Sequence, residues 1–208
     1  YARMRSDFKW HIRKRGIIIL YNSHNDFQQT NVVSSYLPEG VGGVTELFKN
    51  RVVVPFEGDY RQFKHVLVHE LVHAVMNDML YGGSVQSLIS SGVRQVPIWF
   101  SEGLAEFESV GWDTRIDMLV RDVLVNASLE PIQVLNGLPY HFGTSFFKFI
   151  AQKYGRPKIG EILHKLRSSI SFSNAIESAV GMELEDLLDE WYSSLKKEYW
   201  PDIEGRYE

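Results

Sequence analysis

The sequence predicts an α+β fold with strands first and helices after. Three observations predict it. Two short apolar runs, residues 16–21 and 51–56, are rich in β-branched side chains and have the length of strands. Residues 60–80 then contain neither glycine nor proline. From residue 98 onward, apolar side chains recur at helical spacing between glycine and proline breakers. At 208 residues and 44% hydrophobic content, the chain can bury a core of its own. The expected organisation is one domain over 1–200. Its first lobe, 1–97, carries the sheet and the long helix; its second, 98–200, is helical; residues 201–208 form a tail or linker.

Each element has its own signal. The first fifteen residues are locally basic (Arg3, Arg5, Lys9, Arg13, Lys14, Arg15) and read as a solvated lead-in. Residues 16–21 read as a buried strand, ended by Asn22 and Ser23. Pro38 to Gly43 is a loop of strong breakers. In the second strand, 51–56, Pro55 marks an edge or a strand end, because proline cannot donate to a ladder. Asp59 leads into the helix 60–80, and Gly82 to Ser84 closes it. Residues 85–96 read as a loop. Pro97 opens a helix over 98–110, since proline suits a first turn. Further helices are expected at 114–126, 140–154, 158–167, 174–180 and 184–199, with Gly155, Gly181 and Pro201 as stops.

The most specific feature is His69-Glu70-Leu71-Val72-His73, an H-E-x-x-H motif inside the long helix. Positions i and i+4 lie one above the other on a helix. His69 and His73 can therefore aim two imidazoles at one point, with Glu70 at the next position around. Two neutral nitrogens suit a zinc ion, and an adjacent carboxylate suits a general base that takes a proton from an attacking water. Trp99-Phe100-Ser101-Glu102-Gly103-Leu104-Ala105-Glu106 then offers Glu102 as a third ligand in helical context. Two histidines and one glutamate leave a fourth position open, as hydrolysis requires. Gly103 permits a close helix approach. Glu106, one turn beyond Glu102, suits acceptance of the other ring N–H of a ligating imidazole, His69 or His73. His65 lies one turn before His69 and reads as structural, because a fourth protein ligand would close the site.

Composition sets limits. The formal net charge of −4 gives no field for nucleic acid. The absence of cysteine excludes a disulfide scaffold and thiolate-bound zinc. No apolar run is long enough for a transmembrane segment.

These motifs resemble the gluzincin zinc metallopeptidases, the group with H-E-x-x-H and a distant glutamate that includes thermolysin-like enzymes. The narrower likeness is to peptidase MA-like domains of large bacterial proteins that also carry WD40-like β-propellers. Residues 63–73, residues 99–106 and a late Tyr-x-x-Gly-x-Ser-Phe stretch at 140–146 carry it. The resemblance implies a thermolysin-like zincin with a small mixed sheet before the motif helix and a helical lobe after it. It implies a Zn2+-dependent peptidase acting on a peptide or protein substrate, in an extracytoplasmic setting. It implies an edge strand that pairs with substrate, for which Val52, Val53 and Val54 are the candidates. It also implies a tyrosine or histidine that stabilises the oxyanion, and Tyr140 fits that position with His141 beside it. In related aminopeptidases a G-x-M-E-N-like segment holds the substrate amine. Gly42 to Glu46 is comparable but lacks the methionine and shifts the carboxylate by one. The competing reading is a non-catalytic zinc-containing binding or scaffold domain attached to a β-propeller.

Overall fold

The structure, a computed structural model, describes residues 2–13, 15–32, 37–38, 40–46, 51–82 and 96–204, with residues 200–204 as backbone only. The chain divides into two compact units, Tyr1–Arg94 and Gln95–Glu208. Most of the expected 85–96 loop lies outside the described residues.

The first unit contains α1 (Ala2–Phe8), β1 (Ile17–Tyr21), α2 (His24–Gln28), β2 (Val44–Thr45), β3 (Arg51–Pro55) and α3 (Tyr60–Tyr81). The strands form one mixed sheet in the order β1-β3-β2. β1 runs parallel to β3 with Ile17 opposite Arg51, and β2 runs antiparallel with Val44 opposite Val53. Side chains alternate across a strand, so β3 serves two small cores. Val53 packs with Phe27, Val32 and Leu37. Val52 and Val54 pack with Ala74, Phe63, Val66, Leu67 and Leu71 of α3.

That arrangement corrects two expectations. β3 is the central strand: β1 takes one side along its whole length, and β2 takes the other at Val52 and Val53. Val52, Val53 and Val54 are 2%, 0% and 0% exposed, so their side chains fill the cores, and the strand is not the edge that the resemblance implies. Pro55 is the last residue of the strand, where a missing N–H costs no ladder bond. β1, in contrast, lies at an edge, and Ile17, Ile18 and Leu20 are about half exposed, where a buried strand was expected. The basic lead-in is also more than solvated chain. Its arginines stay outside, while Met4, Phe8 and Trp10 are buried and α1 forms around the first two.

α3 is the 22-residue helix that carries the motif. Asp59 caps it by accepting from Arg61 N at 2.7 Å and Gln62 N at 3.3 Å. Gly82 stops it in the left-handed region at φ 60°.

The second unit is helical: α4 (Ile98–Ser109), α5 (Thr114–Asn126), α6 (Pro131–Gly137), α7 (Pro139–Tyr154), α8 (Pro157–Ser168), α9 (Phe172–Val180) and α10 (Leu184–Glu204). Its core is a cluster of edge-to-face rings in which Trp99 meets Phe146 at 5.2 Å and Phe100 meets Phe147 at 4.9 Å. α4 and α7 cross at backbone contact. A Cβ on Gly103 would lie 2.4 Å from Gly143 Cα, and one on Gly143 would lie 2.2 Å from Trp99 O. The close approach read from Gly103 is therefore present, and its partner is another glycine. α10 continues through Pro201 to Glu204, where proline was expected to end it; the ring's fixed φ of about −65° suits a helical turn. The fold is α+β, as the sequence predicts. Among the described residues no helix is long and apolar enough to cross a membrane.

Candidate functional site

Among the described residues, α3 carries His65, His69 and His73 in the first unit and α4 carries Glu102 and Glu106 in the second, all of them types that can ligate a metal. The i,i+4 spacing acts on α3 as expected. His69 Nε2 and His73 Nε2 lie 3.1 Å apart, with ring centroids 4.9 Å apart and planes at 68°. Two nitrogens each about 2.0–2.1 Å from zinc would, at this separation, subtend about 100°, close to a tetrahedral angle. This imidazole pair fits a zinc ion in distance and in donor type. His65 stands one turn earlier, its ring edge-on to His69 at 6.3 Å.

Glu70 occupies the same helix, 7% exposed. Two residues of β2 and its approach define its surroundings. Thr45 Oγ1 donates toward Glu70 Oε2 at 2.6 Å and lies 2.9 Å from Glu70 O. At Gly43, a Cβ would fall 2.8 Å from Glu70 Cγ and 3.0 Å from Glu70 Oε1. Neither contact was read from the sequence. The sequence offers one signal for this approach, the adjacent Gly42 and Gly43. Glu46, the next residue after β2, accepts from Arg51 Nε at 2.5 Å.

In the second unit, Glu102 and Glu106 stand one helical turn apart and are partly buried. Glu108 is a third acid on α4, fully buried, and accepts from Arg156 Nη2 at 2.6 Å, which gives it a structural partner. Tyr140 opens α7 and is 44% exposed. Thr144 Oγ1 donates to its carbonyl at 2.6 Å and anchors this end of the helix. His141 is held below its ordinary value, mainly because burial disfavours its charged form; the nearby Glu106 carboxylate pulls the other way.

The family model described as Peptidase MA superfamily matches residues 2–197. Neither a curated protein nor a solved structure matches the chain.

Proposed function

The chain belongs to the Peptidase MA superfamily, and on that premise we propose that it is a zinc-dependent metallopeptidase hydrolysing peptide bonds. His69, His73 and Glu102 would hold the ion, as a set of three protein ligands that leaves room for water. The observation that carries this reading is the pair of Nε2 atoms 3.1 Å apart on α3, next to a buried carboxylate. When bound, zinc acts as a Lewis acid and lowers the pKa of water to about 7. Glu70 takes a proton from the attacking water and delivers it to the leaving amine nitrogen. Tyr140 donates its hydroxyl to the oxygen on which negative charge develops. Glu106 accepts the outer N–H of a ligating imidazole and fixes the ring.

With β3 enclosed, the edges are β1 and β2, and the substrate strand in this reading is β2, whose Thr45 lies against Glu70. Glu46 is engaged by Arg51, which argues against its use as an anchor for a free substrate amine and favours cleavage within a chain. The extracytoplasmic setting and the β-propeller in the same polypeptide belong to this proposal through the resemblance alone.

The test is digestion of a peptide library by zinc-loaded protein together with metal analysis. Glu70→Gln should abolish cleavage and keep the metal. Glu102→Ala should lose the metal. A Glu70→Gln protein that still cleaves at the parental rate refutes the mechanism. A wild-type protein that holds zinc and cleaves nothing favours the scaffold reading.

A further inference from the structure

We propose that Thr45 and Gly43 are positioning residues that together fix the Glu70 carboxylate, one oxygen each. The inference rests on the reading of Glu70 as the general base. A threonine hydroxyl has one proton to give. Within its reach are Glu70 O at 2.9 Å and Glu70 Oε2 at 2.6 Å. The carbonyl belongs to the interior of α3 and already accepts from the backbone four residues on. The carboxylate oxygen is nearer and has no such backbone donor, so it takes the hydroxyl's one proton. Threonine is stiff about χ1, and the hydroxyl is carried by a strand, so the donor itself is held in place.

The other oxygen is confined by shape. Position 43 has no side chain, and the space a Cβ would need is taken by Glu70 Cγ at 2.8 Å, Val66 Cγ1 at 2.9 Å and Glu70 Oε1 at 3.0 Å. A side chain at 43 therefore crowds Glu70 and Val66 together, and one of them or the strand has to shift. The hydroxyl thus holds Oε2, while the bare backbone at 43 leaves Oε1 and Cγ the space that they occupy. A base must lie within hydrogen-bond reach of the proton it abstracts, and small displacements are costly in rate. The strand proposed to align the substrate is also the strand that aligns the base.

The test has two arms. In the first, unfolding of the apo protein is followed for Thr45→Val, Glu70→Ala and the double variant. Thr45→Val should lower Tm by about 3 °C with Glu70 present, as expected for loss of a part-buried hydrogen bond, and by much less with alanine at 70. An equal drop in both backgrounds overturns the proposal. In the second, zinc-loaded variants are assayed on a cleaved peptide. Thr45→Val should lower kcat about 10- to 100-fold with KM and zinc content unchanged. Thr45→Ser should recover most of the loss, and Gly43→Ala should fall as Thr45→Val does. A serine variant as slow as the valine variant, or a loss confined to KM, overturns the proposal. If the parent protein cleaves nothing, the peptidase reading fails and with it the catalytic role; a coupled melting cycle would then mark the contact as purely structural, which also overturns the proposal.

Discussion

Replacing Gly143 with alanine tests the helix crossing that carries Glu102. The added Cβ would meet Trp99 O at 2.2 Å and Gly103 Cα at 2.7 Å. Ordinary carbon contacts begin near 3.5 Å, so α4 and α7 must part by about 1 Å. Phe100, Leu104, Phe146 and Phe147 are fully buried and lie on these two helices, so parting loosens their contacts as well. Two effects oppose each other. Alanine in a helix interior gains about 1 kcal/mol over glycine. Overpacking costs about 1–3 kcal/mol, and backbone on both sides of this clash puts it at the upper end. The net loss is about 2 kcal/mol, or about 4–8 °C in Tm for a chain of this size. Thermal unfolding followed by circular dichroism measures it. Gly137→Ala is the control, because a Cβ there meets nothing within 4 Å; its Tm should hold or rise slightly. A Gly143→Ala protein that melts at or above the parental temperature would refute the reasoning.

Other outcomes follow from the same geometry. Adding zinc to the apo protein should raise its Tm, because a ligand that binds only the folded state stabilises it, and His73→Ala should erase the rise; a parental shift in that variant would remove His73 from the ligand set. Asp117 accepts from Tyr199 Oη at 2.7 Å and Arg121 Nη2 at 3.0 Å. Burial works to raise its carboxyl, but these hydrogen bonds prevail and hold it below the usual value. Its stabilising contribution is therefore complete above about pH 4 and fades as pH falls through the lowered folded value. Asp117→Asn should flatten the acid limb of a Tm-versus-pH curve, and an unchanged limb would show that the carboxylate contributes nothing there.

What could be read from the chain depended on how local the cause was. α3 was legible almost to the residue, because Asp59 caps it, Gly82 stops it and nothing between breaks it. The convergence of His69 and His73 followed from helical geometry alone. Strand order did not. Whether residues 51–55 stand at an edge or in the centre depends on pairing with segments far along the chain, and Pro55 speaks only for its own N–H. The same limit hid Thr45, whose hydroxyl meets Glu70 across 25 positions. At α1, basic residues alternate with Met4, Phe8 and Trp10, and a short helix and its exit bury these three apolar side chains while the charges stay outside.

Asp78 shows what those first residues do for the rest of the unit. Its carboxylate is fully buried near the C-terminal end of α3, where the helix dipole disfavours negative charge. Oδ2 accepts from Trp10 Nε1 at 2.9 Å and from the Arg13 backbone N–H at 3.1 Å. Trimming the polypeptide to start at the first strand would remove both of these donors together with the indole that helps to bury the carboxylate. The segment ahead of the sheet thus plugs the far end of the motif helix.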